Sequence, residues 1–430
     1  MYNREEIDGL LKAEITEALG CTEPACAALA GAKARDILEG RPDRAEVYVS
    51  RDMMKNAMGV SIPNSELSGI KAAVSLGLAV GGSSNGLQVL TAVTDKERAE
   101  AGELDIDVKL AENVPALFIA VRAHRGNDEC FVSIEDEHDR FKRIEKNGAA
   151  LTDVDPMFFS ECNDSELDQE FLNDMTVEDV ISYAKGIGGD IKDLLRRAVK
   201  TNLAIGYAGL EEDWGLGVGK TMFASVGKII GTDDAMRKGA ALAAAGSDAR
   251  MAGSCRPVMI NSGSGNQGIT VTVPVAVLAE YVKAPEDTML QAVAIAEVVG
   301  LVLTNRKARL SALCGAFTAS IGTACAWVYL LGGGATEMDA AVNNMIGNLT
   351  GIICDGAKRT CALKIYTSLI SASVSVLLAM KGVSASSESG IVGENTLESI
   401  GYLSRLSHEG MEATDRTILD IMLEKGKKTN

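Results

Sequence analysis

The chain is poor in basic residues. It has 42 lysines and arginines against 59 aspartates and glutamates, which gives a formal net charge of −17. Proteins that bind nucleic acid need clustered Lys and Arg side chains to displace the counterions of the phosphate backbone. The longest basic clusters, 306–309 and 425–428, are short, and we interpret them as a helix flank and a solvated tail. The charge pattern therefore argues against nucleic acid as a partner.

The chain also lacks a clear membrane-directing segment. Residues 1–6 have no apolar run of the kind found in signal peptides, so we expect a cytoplasmic protein. Residues 311–336 carry no charge and have the length of a membrane span. Their Ala, Gly, Ser, Thr and Cys side chains are too weakly apolar for stable insertion. We predict a helix buried in a protein core there, and no membrane as a partner.

Histidine, aromatic residues and paired cysteines are scarce as well. Three histidines leave little scope for histidine-based metal sites or Ser–His–Asp catalysis, and the absence of any Cys-x-x-Cys pair excludes a zinc ribbon and a thioredoxin motif. Nine cysteines in a chain without an export signal indicate thiols, thiolates or metal ligands rather than disulfides. With only 4% aromatic residues and many small ones, the helices are expected to approach one another closely.

The hydrophobic period changes along the 430 residues. It is helical in the first 40 residues, close to two from about residue 45 to 148, and helical again after Thr176, which begins a capping box. We predict an α+β fold, in which a large, mainly α-helical domain carries an inserted smaller α/β domain with a mixed or antiparallel sheet. The predicted parts are an N-terminal helical pair that packs on the helical domain (1–42), an α+β domain (43–150), an acidic connector (151–175) and a helical domain (176–430). Local predictions are helices at 5–19, 25–38 and 69–80 and a hairpin turn at 125–128.

Two glycine-rich segments resemble nucleotide-binding loops. Segment 215–221 has Trp214 where a phosphate loop needs its first glycine, so we exclude that motif. Segment 263–268 matches the dinucleotide fingerprint, but the β-branched, proline-bearing residues 269–274 are a poor opening for a Rossmann helix. Two interpretations of 261–267 stay open: an anion-binding nest that suits a carboxylate, and a polar turn between helices.

The cysteines allow a metal site or plain core packing. Cys21 lies at a helix break, where free N–H groups and the helix dipole favour thiolate. Cys354 lies at a turn signal, and its spacing to Cys361 would place both on one helix face, as would the spacing of Cys314 and Cys325. Buried cysteines often act only as small apolar side chains, so these patterns alone decide nothing.

Six motifs occur together in a fixed order. The combination resembles the L-cysteine desulfidase family, which is related to the α-domain of iron–sulfur L-serine dehydratases, and the resemblance spans essentially the whole chain. The motifs are Gly-Cys-Thr-Glu-Pro (20–24), Met-Lys-Asn (54–56), Ser-Asp-Ala-Arg-Met (247–251), Asn-Ser-Gly-Ser-Gly-Asn-Gln-Gly-Ile (261–269), Arg-Leu-Ser-Ala-Leu-Cys (309–314) and Ile-Cys-Asp-Gly-Ala (353–357).

The resemblance implies a lyase with an oxygen-labile 4Fe-4S cluster in the helical domain. The cluster would be held by Cys21, Cys314 and Cys354, with one iron left open to a small amino-acid substrate. With L-cysteine the products would be pyruvate, ammonia and hydrogen sulfide. Cys361 receives no ligand role. The other cysteines are predicted to be core residues, namely Cys26, Cys130, Cys162, Cys255 and Cys325.

Further site residues are hypotheses within this resemblance. Arg250 and the nest would bind the substrate carboxylate, and Asn56 would orient the substrate. Lys55, if burial lowers its pKa, or His138 would act as the base; the alternatives are a surface lysine and an exposed turn residue. The residues of the nest are Ser262, Gly263, Ser264, Gly265, Asn266 and Gln267.

Two other functions stay open at this point. L-serine or another β-substituted amino acid is an alternative substrate, although thiolate prefers iron more than a hydroxyl does. A non-catalytic protein that binds an amino acid or senses redox state through a cluster is the other alternative. A homo-oligomer is compatible with the sequence.

Overall fold

The computed structural model describes residues 3–58, 60–62, 65, 67–91, 93–151, 169–225, 235–307 and 311–429. Most of the predicted acidic connector, including Cys162, lies outside the described residues, as does Arg309 of the fifth motif. Within the described residues the chain combines a large helical part with a mixed sheet, so the predicted α+β class is confirmed.

The described residues form the following helices and strands. The helices are α1 (Arg4–Glu14), α2 (Thr22–Leu38), α3 (Arg51–Ala57), α4 (Gly69–Val80), α5 (Asp95–Gly102), α6 (Val177–Lys185), α7 (Gly189–Glu211), α8 (Val218–Ser225), α9 (Ala235–Met251), α10 (Gly265–Tyr281), α11 (Glu286–Lys307), α12 (Gly315–Leu330), α13 (Ala335–Leu349), α14 (Cys361–Ala379), α15 (Thr396–Arg405) and α16 (Glu412–Thr429). The strands are β1 (Glu17–Leu19), β2 (Arg44–Val49), β3 (Asp105–Leu110), β4 (Phe118–Arg125), β5 (Asp128–Glu135), β6 (Phe141–Lys146), β7 (Ala149–Ala150) and β8 (Pro257–Met259).

The larger sheet has the strand order β3-β2-β4-β5-β6-β7 in the described part of the chain. β2 and β3 are parallel, and every other neighbouring pair is antiparallel. Arg125 pairs with Asp128, which confirms the predicted hairpin turn. The alternating residues Val47, Val121 and Val132 are fully buried against α2 and α4.

Helices α2 and α4 cross at glycine. A Cβ atom on Gly77 would lie 2.0 Å from the carbonyl oxygen of Ala28, and one on Gly31 would lie 2.7 Å from that of Val74. Any side chain at either position would force the two helices apart. This contact bears out the expectation that small residues let helices approach closely.

The helical core is built around α9, α10 and α12, which are buried on nearly every side. The predicted core helix in 311–336 is confirmed as α12, whose residues from Ala316 to Val328 are all buried. Two other helices, α11 and α14, have the length and apolar character that a membrane span would need. Most of α11 lies inside the helical core instead.

The N-terminal region differs from the prediction. The first helix ends at Glu14, and residues 17–19 form β1, which pairs with β8 in antiparallel register. The buried residues of α1 join the helical core, whereas those of α2 join the core under the sheet. The expectation that both N-terminal helices pack on the helical domain is therefore wrong for α2, because its many small residues pack against α4, β4 and β5.

The β-branched residues after the glycine motif are helical. α10 begins at Gly265, and the Ser264 side chain caps it by accepting a hydrogen bond from the backbone N–H of Gln267. Burial on all sides overrides the weak helix propensity of residues 269–273. Within the described residues β8 pairs only with β1, so this strand and helix do not form a Rossmann unit.

Candidate active site

One cavity of about 100 Å³ brings together residues from distant parts of the sequence. It lies where the first turn of α2 meets the turns that precede α10, α12 and α14. A larger open groove of about 670 Å³ beside α15 contains none of the predicted site residues. The predicted residues that line the smaller cavity are Asn56, His138, Arg250, Ser262, Gly263, Ser264, Asn266, Gln267, Cys314 and Cys354.

Three predicted residues do not line this cavity, although each lies next to one that does. Cys21 precedes Thr22, Lys55 precedes Asn56, and Gly265 follows Ser264. A Cβ atom on Gly265 would lie 2.6 Å from Nε of Arg250, so any other residue at this position would displace the Arg250 side chain. Arg250 is buried, and its Nε donates a hydrogen bond to the carbonyl oxygen of Gly20 at 3.0 Å.

The glycine-rich turn forms the N-terminal end of α10. Ser262 and Gly263 adopt left-handed backbone conformations, with φ of 51° and 75°, and the N–H of Ser264 donates to the carbonyl oxygen of Asn261 at 2.9 Å. The hydroxyl of Thr22 donates to the carbonyl oxygen of Gly263 at 2.9 Å and ties the turn to α2. The turn is polar and lies between elements, and it also opens a long helix. Such a helix end favours a bound anion.

A buried carboxyl group supports this turn from behind. The amide nitrogen of Asn261 donates to Oε2 of Glu297 at 2.6 Å and to its backbone carbonyl at 3.2 Å. Glu297 is fully buried, and burial raises its pKa to about 8. Sequence reasoning missed this residue, although a single acid within the apolar stretch 290–303 was a visible signal.

Cys314 and Cys354 are joined by their backbones and by their side chains. The N–H of Cys314 donates to the carbonyl oxygen of Ile352 at 3.0 Å, and the N–H of Cys354 donates to that of Ala312 at 2.6 Å. The hydrogen bond from the Cys314 thiol lowers the pKa of Cys354 to about 6, assisted by the charge of Lys55 and against the effect of burial. The same hydrogen bond and burial raise the pKa of Cys314.

Cys21 has a different environment. It is the N-cap residue of α2, as its position at a helix break predicted, and its sulfur lies 3.9 Å from Sδ of Met251. Burial raises its pKa to about 12, although the charge of Arg250 acts in the opposite direction. The expectation that the helix end makes Cys21 a thiolate is therefore wrong for the metal-free chain, because burial outweighs it.

Cys361 is a functional candidate that sequence reasoning set aside. It lines the cavity as the first residue of α14, and the N–H of Lys358 donates to its sulfur at 3.3 Å. Its charge interacts with those of Cys314, Cys354 and Cys21, and its side chain packs in the same small cluster as Cys21. The spacing of seven residues from Cys354 was the available signal.

The remaining cysteines divide differently from the prediction. Cys26, Cys130 and Cys325 are fully buried in hydrophobic cores, as expected. Cys255 is exposed, so the core-packing interpretation is wrong for this residue.

The thiols of the cavity are soft donors of the kind that hold iron–sulfur clusters. Among the described residues, no three His, Cys, Asp or Glu side chains are close enough to hold one metal ion. Each cysteine of a cluster binds a different iron, so its ligands need not be that close. Cys354 is ready as a thiolate beside Cys314 and Cys361, and the charges of nearby lysines (Lys55, Lys307, Lys358 and Lys364) interact with these sulfurs. This donor set fits a thiolate-bound cluster.

Lys55 does not have the properties of a base. It is fully buried, its Nζ forms an ion pair with Asp415 of α16, and Asp52 lies 3.6 Å away. Burial alone would lower its pKa, but the charges of Cys354, Asp415 and Asp52 together raise it. Both expectations, a lowered pKa and an exposed surface lysine, are wrong. The side chain is a fixed cation near Cys354.

Two other groups in the cavity wall can accept a proton. His138 is only 9% exposed and lines the cavity, so it is not an exposed turn residue. Lys307 lines the cavity at 2% exposure, and burial lowers its pKa. Sequence reasoning missed Lys307 because it belongs to the basic cluster that was interpreted as a helix flank.

Comparison with known proteins gives one family. The family described as serine dehydratase alpha chain matches residues 84–420, which include Cys314, Cys354 and Cys361. The chain is similar to the UPF0597 protein of Parabacteroides distasonis, with 37% identity over 98% of both chains. It is also similar to those of Oleidesulfovibrio alaskensis (37%, 97% of both chains) and Lachnoclostridium phytofermentans (36%, 96% of this chain and 98% of the relative).

Proposed function

The chain belongs to the serine dehydratase alpha chain family, and from this we propose that it is an iron–sulfur lyase that eliminates sulfide from L-cysteine. The products would be pyruvate, ammonia and hydrogen sulfide. The observation that carries the proposal is the shared cavity, in which the Cys314–Cys354 pair faces a polar helix N-terminus and a buried arginine. In such a reaction a small amino acid needs one wall that binds a metal and another that binds its carboxylate, within one cavity.

Cys314, Cys354 and a third cysteine would hold a 4Fe-4S cluster. We place Cys361 in the third position, ahead of Cys21, because Cys361 lines the cavity together with Cys314 and Cys354, whereas Cys21 does not. When bound, such a cluster would supply Lewis-acid chemistry at the leaving group of the substrate.

The protein side chains would position the substrate and move its proton. The N–H groups at the start of α10 and the guanidinium of Arg250 would bind the carboxylate. Nζ of Lys307 or the imidazole of His138 would take the proton from Cα. Burial favours the neutral amine of Lys307, which is the form that accepts a proton.

L-serine is the second candidate substrate, since the description of the matched family names serine. The soft thiolate of cysteine is the better ligand for iron, which favours cysteine. The test is anaerobic reconstitution with iron and sulfide, followed by assays with L-cysteine and L-serine. Sulfide, pyruvate and ammonia from L-cysteine support the proposal.

Three results would point elsewhere. Pyruvate and ammonia from L-serine alone would make the protein a serine dehydratase. A loaded cluster without turnover of either amino acid would indicate a binding or redox-sensing protein. Turnover that survives in Cys354→Ala would show that the reaction does not take place in this cavity. The matched control is Cys325→Ala, which alters a buried cysteine outside the cavity.

A further inference from the structure

We propose that the amide oxygens of Asn56 and Asn266 bind the α-ammonium group of the substrate and make the cavity select α-amino acids over the corresponding α-hydroxy acids. The inference rests on the proposed function for the substrate class. Asn266 would then bind the positively charged ammonium group, whereas the sequence analysis assigned it to the negatively charged carboxylate.

Both oxygens are buried without a hydrogen-bond donor. Asn56 is 6% exposed and Asn266 is 9% exposed, and both line the same cavity. No donor among the described residues reaches Oδ1 of either side chain. Buried polar atoms in native proteins nearly always have a partner, so two such acceptors in one cavity indicate a ligand that donates.

Other contacts hold the two side chains where they are. The amide nitrogen of Asn266 faces Sδ of Met251 at 3.8 Å, which leaves the oxygen as the unpaired atom. The backbone carbonyl of Asn56 accepts a hydrogen bond from the N–H of Ala357 at 3.2 Å. Asn56 also follows Lys55, which the ion pair with Asp415 fixes. The side chain of Asn266 and the backbone of Asn56 are thus fixed before a ligand arrives.

An ammonium group matches these acceptors better than the other groups of the substrate. It carries three donors and a positive charge, and the carboxylate of Glu23 lines the same cavity. The substrate carboxylate has no donor, and two amide oxygens would repel it. A hydroxyl has one proton, so an α-hydroxy acid would leave one amide oxygen unpaired.

The test compares L-alanine with L-lactate, which differ at this group and carry no leaving group. Binding to the anaerobically reconstituted full-length protein is measured by calorimetry at pH 7.5. We expect L-alanine to bind at least about tenfold more tightly than L-lactate, as for a site built around a donor that the analogue lacks. Asn56→Ala and Asn266→Ala should each weaken L-alanine binding about tenfold and weaken L-lactate binding less, so that the ratio of the two affinities falls.

Asn343→Ala is the matched control, because Asn343 is equally buried and its oxygen accepts a hydrogen bond from Ser399 at 2.6 Å, away from the cavity. It should not change the ratio of the two affinities. Asn56→Asp and Asn266→Asp keep an acceptor oxygen and should keep the preference for L-alanine over L-lactate. If an alanine variant does not fold, loss of this preference in the aspartate variants would overturn the inference.

Unchanged ratios in the alanine variants would overturn the inference, as would equal binding of the two ligands, or no binding of L-alanine, by the unmodified protein. The proposed function fails separately, when the loaded unmodified protein turns over neither L-cysteine nor L-serine. Turnover together with unchanged ratios would overturn only the role of the two asparagines.

Discussion

Cys314 and Cys354 lie side by side, since the N–H of Cys354 donates a hydrogen bond to the carbonyl oxygen of Ala312 at 2.6 Å, and the interaction with the Cys314 side chain is the largest single cause of the low pKa of Cys354. The two residues are 40 positions apart in the sequence and meet through an antiparallel bridge between Leu313 and Ile353. We therefore expect Cys354 to be the thiolate of the pair near neutral pH. A thiolate is the form of cysteine that binds metal.

The first prediction concerns the reactivity of Cys354. In the metal-free protein, alkylation of Cys354 by iodoacetamide should rise with a midpoint near pH 6, because the thiolate is the reactive form. Cys21, whose pKa is about 12, should stay unreactive through pH 9. Cys314→Ala removes the donor and should shift the Cys354 midpoint upwards, toward the ordinary value of about 8.5. Mass spectrometry of labelled peptides measures each site, and a midpoint near 8.5 in the unmodified protein would refute the account.

The second prediction concerns the buried cation. Lys55→Met leaves Asp415 and Asp52 without their partner, so we expect a loss of about 3 kcal/mol or more in the free energy of unfolding. The matched control is Lys12→Met, since Lys12 and Asp190 form an exposed pair at 2.5 Å that solvent screens, so its loss should change the free energy of unfolding far less. Urea unfolding followed by circular dichroism measures both. Equal losses would mean that the buried pair is no stronger than the exposed one.

Much of the fold could be predicted because hydrophobic periodicity reflects burial. The alternation of Val47 and Val49 and the turn at Arg125–Asp128 identified the sheet. Strand β1 was missed because three residues are too short to show a period, and its pairing with β8 is a long-range contact. The helix over 269–273 was misjudged because its stability comes from packing rather than from propensity.

The third prediction concerns the acid behind the glycine-rich turn. Glu297 has a folded-state pKa of about 8 against an ordinary value of 4.5, so its contribution is fully present below pH 4.5 and is lost as the pH rises toward 8. The loss is about 1.4 kcal/mol for each unit of this difference. Glu297→Gln should therefore gain stability relative to the unmodified protein between pH 5 and pH 8 in urea unfolding.

Glu286→Gln provides the control for that measurement. Its hydrogen bond with Arg196 lowers the pKa of Glu286, so any pH dependence it adds has the opposite sign. A stability difference for Glu297→Gln that does not change with pH would show that this carboxyl is ionised in the folded protein.

The fourth prediction separates the two proton acceptors. Lys307→Arg keeps the positive charge but cannot deprotonate, so we expect kcat to fall about a hundredfold or more. His138→Gln should reduce kcat less, and the pH profile of kcat should keep its shape. The reverse order of effects would assign the base to His138.

The site was predicted in part because its motifs mark turns. Glycine and cysteine signals located the walls of the cavity, but they could not rank Cys21 against Cys361, since charge interactions depend on three-dimensional distance. Lys307 and Glu297 lie at the end and in the middle of an apolar helix, where one sequence gives no measure of what each side chain faces. The sign of the pKa shift of Lys55 depends on Cys354 and on Asp415, and the latter is 360 residues away.

The most direct test of the account is the iron content of cysteine variants after anaerobic reconstitution. The unmodified protein and Cys325→Ala should each hold about four iron atoms per chain, whereas Cys314→Ala, Cys354→Ala and Cys361→Ala should lose the cluster. If Cys21→Ala loses the cluster and Cys361→Ala retains it, the third ligand is Cys21 rather than Cys361. Full iron content in both Cys314→Ala and Cys354→Ala would contradict the claim that this cavity holds the cluster.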